Sequence, residues 1–526
     1  MTASLRMVAF GGTELPVEMA RAVSTMPPAG VTLFRQHNVR SAAQVRALTS
    51  ALQAAMPYGE RPLLIAVDQE GGQVIGLGDE TTQFAGAMAI GAAGDQGLAE
   101  RVGRAVGREL RALGVNVNYA PVCDLATNPT NPGLGIRSFG DDPEAVASLV
   151  AATVRGLQAE GVAATAKHFP GTGDAAVDTH DELAVVRRPR DELSERELVP
   201  FRAAIDAGAW LVMSGHFAIP ALTGDEQLPA SLAPQVLTDL LRGDLGFDAL
   251  VTTDALDMKA LAQGAAQLVE IIAAIRAGTD LLLETVDAEA AERIDAGLAQ
   301  AALRRVIHPD AIAASLGRVR KLRTWVAGFT DPATSVVGCA EHQSLARELA
   351  ERSLTLVRND DGLLPLRLDR DAKVAVVTVR PADLTPADTS SYVRVGLADA
   401  IRRRHARVTE ISVDGEPASG DAGRIGGSVR GHDVLVIGTI NASLRPAQAG
   451  LVRALLGAGI PTVTVAMRTP WDLASYPESR THVCSYGILD PTTEALAAAL
   501  FGEISFRGHL PVALGDLHAR GHGLTP

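Results

Sequence analysis

The sequence predicts an α/β protein, a (β/α)8 TIM-like barrel followed by a second α/β sandwich domain, and three observations carry that prediction. Eight short apolar runs recur through the first 330 residues. Longer Ala/Leu/Arg-rich stretches of helical periodicity separate them. After about residue 325 a linker-like stretch gives way to a new set of apolar runs.

In chain order the first eight runs are LRMVAF (5–10), VTLF (31–34), LLIAVD (63–68), VNVNYAPV (115–122), ATAKHF (164–169), WLVMSGH (210–216), ALVTTD (249–254) and DLLLE (280–284). Stretches such as AERVGRAVGRELRALG (99–114) and LVPFRAAIDAG (198–208) lie between them, so the repeat is strand then helix rather than hairpin. Asp68, Asp124, Lys167, His168, His216, Asp254 and Glu284 all fall at or just beyond the C-terminal ends of these runs, the face on which barrel active sites are built.

The division read from this pattern is a barrel over 1–328, a linker over 329–339 and a second domain over 340–526. In the second domain AEHQSLARELAERSLTLVRN (340–359) reads as a helix running into a strand. KVAVVTV (373–379), DVLVIGTI (433–440), PTVTVAM (461–467) and HVCSYG (482–487) then read as strands of a mostly parallel layered sheet. The Gly-rich EPASGDAGRIGGSVRG (416–431) fits neither a phosphate loop nor a dinucleotide fingerprint and reads as loop.

Composition narrows the class of partner. At 526 residues each half is long enough to bury its own core. A net charge of −13 with no Lys/Arg-rich block argues against nucleic acid or an anionic membrane as partner. Cys123, Cys339 and Cys484 are too few and too widely spaced for a disulfide framework, which points to a reducing compartment. The N-terminus lacks the pattern of a signal peptide and no run is long enough to span a bilayer, so the expectation is a cytoplasmic protein. Oligomeric state is not legible.

The richest stretch is AATAKHFPGTGDAAVDTH (163–180). An apolar run ends in Lys167-His168 and opens into a Gly/Pro loop carrying Asp178 and His180, where a carboxylate two residues from an imidazole can orient it and tune its basicity. Asp68 precedes Gly71-Gly72 and either binds vicinal hydroxyls or caps the following turn. Arg137, in NPGLGIRSFGDDP, either donates to a polar ligand or is ion-paired with Asp141 and Asp142. Asp254 ends the seventh run, placed as a carboxylate nucleophile would be or as a helix N-cap, with Asp257 expected in the first turn of that helix. His216 is either a site-lining donor or a buried structural histidine. Gathering His168, His180, His216, Asp178 and Asp254 around a metal is a further option. The absence of His-X-His at the end of the first run, and the self-sufficiency of Lys167-His168 before FPGTGD, argue against it.

Taken together, DQEGG (68–72), RSFGDDP (137–143), KHFPGTGDAAVDTH (167–180), MSGH (213–216), TDALDM (253–258) and ERSLTLVRNDDGLLPL (351–366) resemble glycoside hydrolase family 3, in its β-N-acetylglucosaminidase branch, over nearly the whole chain. The resemblance implies a retaining, cofactor-free enzyme in which Asp254 is the nucleophile and His180 with Asp178 is the acid/base pair. It further implies that Asp68, Arg137, Lys167 and His168 hold a terminal β-linked N-acetylglucosamine, in peptidoglycan recycling or chitin-fragment breakdown. A neutral imidazole base does not repel an anionic acceptor, so inorganic phosphate in place of water is an alternative, as are β-glucosidase activity and a non-catalytic sugar-binding relative. An aromatic content of 4% favours a small pocket and exo action over a long stacking groove. Where relatives carry basic residues after DQEGG this chain has Gln73 and Gly76, Thr172 stands in place of a histidine, and QHNV (36–39) replaces an arginine-containing turn.

Overall fold

The computed structural model describes residues 2–418 and 420–525. All eight expected barrel strands form: β1 (Arg6–Val8), β2 (Gly30–Thr32), β3 (Leu64–Val67), β4 (Val117–Asn118), β5 (Ala163–Phe169), β6 (Leu211–Ser214), β7 (Leu250–Ala255) and β8 (Leu281–Leu283). They close in chain order, β8 pairing with β1, and every pairing is parallel. Strands walled by helices outside and packed side chains inside are buried on both faces, which is why the runs are continuously apolar rather than alternating.

Helix boundaries follow from local chemistry. The Asp95 carboxylate accepts from Leu98 N and starts the helix Gln96–Ala112; Asp142, followed by Pro143, does the same for Pro143–Ala159 through Ala145 N. Between these two helices Gly103 and Gly156 allow a close approach. A Cβ on Gly156 would stand 2.3 Å from Glu100 O, and one on Gly103 2.8 Å from Thr153 O. The helix Pro309–Ala327 contributes Val319, Leu322 and Val326 to the cluster that fills the barrel interior.

The second sheet contains β9 (Thr355–Asn359), β10 (Val374–Val379), β11 (Val408–Val413), β12 (Val434–Thr439), β13 (Thr462–Ala466) and β14 (Thr481–Cys484), in spatial order β9-β14-β13-β12-β10-β11. Only β9 runs antiparallel, against β14. Three details differ from the sequence reading. β11 is absent from the expected strands because it is a mostly unburied edge strand pairing with β10 alone, so it lacks an apolar run. The Gly-rich 416–431 is not all loop: Asp421–Val429 is helical, since Ile425 and Val429, four apart, bury against the core and outweigh the poor propensity of glycine. Asp257 lies in no helix. The Gln263 amide donates to the carbonyls of Leu256, Met258 and Leu261 and staples that segment into a turn, and the next α-helix begins at Gln267.

The seam between the two sheets' units is organised by a buried carboxylate. Glu109 accepts from Thr82 N (2.9 Å), Thr82 Oγ1 (2.5 Å), Gly338 N (3.0 Å) and His342 Nδ1 (2.7 Å). Along the same seam Asp141 and Asp142 are paired with Arg520 at 2.8 Å. Among the described residues no helix is long and apolar enough to cross a membrane.

His342→Ala removes one hydrogen-bond donor from the Glu109 carboxylate and is expected to cost about 1.5–3 kcal/mol of stability, read as a lower urea midpoint. An unchanged midpoint would mean that the His342–Glu109 bond adds nothing to the seam beyond its other contacts.

Candidate active site

Every side chain singled out at the strand ends, Glu284 apart, gathers at the C-terminal mouth of the barrel. Glu284 is held away from it in an ion pair with Arg6 at 2.5 Å. The anchor of the site is a residue that the sequence reading did not select. Glu70 extends from the hairpin after β3 and receives two parallel bonds from Arg137, Nε to Oε2 and Nη2 to Oε1, both 2.9 Å. Lys167 Nζ lies 2.6 Å from Glu70 Oε1 and 2.5 Å from Asp68 Oδ1. Burial pushes the Glu70 carboxyl up, but Arg137 and Lys167 overcome it and hold it at about 2. Lys167 moves the opposite way: burial opposes its charge, and Asp68 and Glu70 raise its pKa nonetheless. Arg137 is thus paired with Glu70, leaving Asp141 and Asp142 to Arg520.

His168 follows Lys167 on β5. Its Nδ1 is 2.7 Å from Asp124 Oδ2, which assigns the proton to Nδ1, and its Nε2 accepts from Arg137 Nη2 at 3.3 Å. Asp124 also accepts from Thr172 N at 2.9 Å, so one carboxylate fixes both the imidazole and the start of the loop after β5. The Asn131 amide donates to Thr172 O and Gly173 O, and that of Asn128 to Ala175 O, pinning the loop further.

The far end of that loop carries the dyad. His180 Nδ1 lies 2.7 Å from Asp178 Oδ1, and His180 N donates to the same oxygen at 2.9 Å. Burial disfavours the imidazolium, but the Asp178 hydrogen bond and the charges of Asp254 and Asp178 prevail and raise the His180 pKa above its ordinary value. Asp254, in β7, is shifted the other way. Burial pushes its carboxyl up, while His168, His216 and His180 pull it below the usual range. Its Oδ1 accepts only from Ala255 N, one residue on, so it is not a helix cap. His216 bonds Ser231 Oγ through Nδ1 at 2.7 Å, and its buried Nε2 has no partner; burial lowers its pKa, favouring the neutral ring.

Asp68, Lys167, His168, His180 and Asp254 line a cavity of about 570 Å3 whose opposite wall comes from the second sheet's unit, through Leu384, Pro386, Ala387 and Thr389. Thr389 N donates to Gln73 O at 2.8 Å, and Ile75 N donates to Thr389 Oγ1 at 3.1 Å, stitching that wall to the hairpin bearing Glu70. Gln73 is buried with both side-chain polar atoms unpartnered and does not line the cavity. At Gly76 a Cβ would stand 2.5 Å from Asp68 O, so this backbone admits no side chain there. Among the described residues no three His, Cys, Asp or Glu side chains form a metal-ligand set. The arrangement offers an ionised carboxylate facing a carboxylate-oriented imidazole, beside a fixed array of charged hydrogen-bond partners.

Residues 2–322 match the family described as glycosyl hydrolase family 3 N terminal domain. A β-hexosaminidase A of Pseudoalteromonas piscicida is 32% identical, covering 95% of this chain and 92% of its own. A β-N-acetylglucosaminidase/β-glucosidase of Cellulomonas fimi is 32% identical over 90% of this chain and 86% of its own. Among solved structures, a glycoside hydrolase family 3 β-N-acetylglucosaminidase from Paenibacillus sp. str. FPU-7 superimposes with a TM-score of 0.91 at 34% identity, covering 97% of this chain and 98% of that one.

Glu70→Gln leaves two buried cations sharing too little negative charge. It is expected to lower stability by about 3–5 kcal/mol in urea titrations. A loss below about 1 kcal/mol would show that Arg137 and Lys167 are satisfied without it.

Proposed function

Because this chain belongs to glycoside hydrolase family 3, we propose that it is a retaining, exo-acting β-N-acetylglucosaminidase. The observation that carries the reading is the placement of Asp254 and the Asp178–His180 dyad on the same cavity, with their pKa values driven apart. Asp254 attacks the anomeric carbon while the His180 imidazolium protonates the departing oxygen, giving a covalent glycosyl-enzyme. The neutral imidazole then takes a proton from the incoming acceptor, and the second inversion restores the β configuration. Asp178 holds the ring through Nδ1, leaving Nε2 to face the reacting oxygen. Asp68, Lys167, Arg137 and His168 bind the hydroxyls and 2-substituent of the terminal sugar, and His216, neutral and open at Nε2, lines the nucleophile's side.

The names of the relatives favour N-acetylglucosamine as the sugar, with glucose as the competitor. Phosphate is the alternative acceptor, since neutral His180 does not repel a dianion. Nitrophenol release from the aryl β-N-acetylglucosaminide and β-glucoside, with and without phosphate, separates these. Free N-acetylglucosamine at a rate indifferent to phosphate supports the hydrolase, whereas phosphate-stimulated formation of sugar 1-phosphate would replace it with a phosphorylase.

The pH dependence has a definite sign. His180 is the acid, and its raised pKa keeps it protonated above the ordinary imidazole range, so kcat/KM for poor leaving groups falls only as pH passes that raised value. Asp178→Asn removes the cause and is expected to move the alkaline limb to lower pH. A limb that stays put would exclude His180 as the titrating acid. His180→Ala is expected to lower kcat/KM about 100- to 10,000-fold on poor leaving groups and far less on activated aryl ones. Equal losses on both would make His180 structural.

A further inference from the structure

The loop from Pro170 to Asp181 begins pinned and ends exposed, and one buried group beneath it has no part in the chemistry above. Glu197 closes a wide, π-type turn, Leu193–Glu197, leading into the helix Leu198–Asp206. Its side chain is 1% exposed and neither carboxyl oxygen has a hydrogen-bond donor. The start of the loop lies directly on it. A Cβ on Gly171, whose φ is +118°, would stand 3.2 Å from Glu197 Cβ and 3.4 Å from Oε2.

One cation reaches both the loop and this carboxyl. Arg188 donates through Nη2 to Asp174 Oδ1 at 3.0 Å and through Nη1 to Glu192 Oε2 at 3.1 Å, while its Nε stands 3.3 Å from Glu197 Oε1 without forming a hydrogen bond. Asp174 is in the loop itself; Glu192 and Glu197 are on the element below. The other charges acting on Glu197 are Arg196 beside it and Asp124, the carboxylate that holds Thr172 N and His168.

We propose that Glu197 is a positioning residue for the loop bearing Asp178 and His180: protonated, it leaves the Arg188 guanidinium to Asp174 and keeps the loop in place, and ionised, it competes for Arg188, repels Asp124 and Asp174, and loosens the loop. The direction agrees with its titration. Burial pushes the carboxyl up, Arg188 and Arg196 pull it down, Asp124 and Asp174 push it up again, and the balance falls at about 7. A carboxyl whose packed-state pKa is raised opposes the packed state as it ionises, so anchoring is complete below the ordinary carboxyl range, weakens as pH rises from there, and is fully lost once pH has passed the raised value. The effect on turnover rests on His180 being the acid/base group, but the anchoring needs no substrate.

The test is amide hydrogen exchange across residues 172–182, corrected for intrinsic rate, at about pH 6 and about pH 8.5, either side of that titration. Wild type is expected to lose about tenfold in protection at the higher pH, the worth of one charge-assisted hydrogen bond, and Glu197→Gln to keep its low-pH protection at both. Asp174→Asn, which removes the loop's own hold on Arg188, is expected to be loose at both and covers the case in which Glu197→Gln fails to fold. An equal pH response in wild type and in Glu197→Gln or Asp174→Asn, or no response in wild type, overturns the proposal. Absence of any glycosidase turnover would sink the functional reading while leaving the exchange result to stand by itself.

Discussion

The buried pairing of Glu70 with Arg137 and Lys167 is the constraint on which the site depends. Three ionised groups from three different chain segments can be buried together at the barrel mouth only if each neutralises another, and the fold meets that condition through two parallel bonds to Arg137 and a short contact to Lys167. Once these are fixed, the remaining geometry follows. Lys167 has a second reach to Asp68, Arg137 has a remaining donor for His168 Nε2, and the Arg137 segment is held close enough to line the cavity with His180 and Asp254. Charge on the cluster also acts at a distance, Arg137 opposing protonation of His180 while helping to keep Asp178 ionised.

Three of the histidines at this mouth are told apart by the partner at Nδ1. Asp124 fixes His168 as a fully committed member of the array, accepting from Arg137 on its other face. Asp178 gives His180 a raised pKa and a free Nε2, the properties of a proton donor. Ser231 gives His216 no charge support, and burial keeps that ring neutral. All three lie around Asp254, whose carboxyl stays below its ordinary range in spite of its burial. One residue type thus offers a fixed hydrogen-bonding ring, a carboxylate-supported imidazole and a neutral ring, according to whether a carboxylate or a hydroxyl stands behind it.

Much of this was legible in the sequence, for identifiable reasons. Parallel barrel strands are buried on both faces and read as plain apolar runs, so all eight were found together with Asp68, Lys167, His168, His216 and Asp254 at their ends. Asp178 and His180 are neighbours in sequence and remain so in space. What escaped is what only folding brings together. Glu70 is two residues from Asp68 in DQEGG, but nothing local shows that Arg137, 67 residues away, completes it. The wall from Leu384 to Thr389 belongs to a different unit and contains no motif. Asp257 and the Gly-rich 416–431 were misread because a side-chain staple from Gln263 and the burial of Ile425 and Val429 are tertiary effects that override local preference. The substitutions at Gln73 and Gly76 were visible, but their meaning was structural: one side chain is turned away from the cavity and the other position admits none.

The central claim is that Asp254 forms a bond to the sugar. Incubation with a fluorinated aryl glycoside that forms the intermediate quickly and releases it slowly, followed by peptide mass spectrometry, tests it most directly. The account predicts one added fluorosugar per chain, on the peptide containing Asp254. An adduct on another carboxylate, or turnover of the probe with inverted product and no adduct, would contradict it.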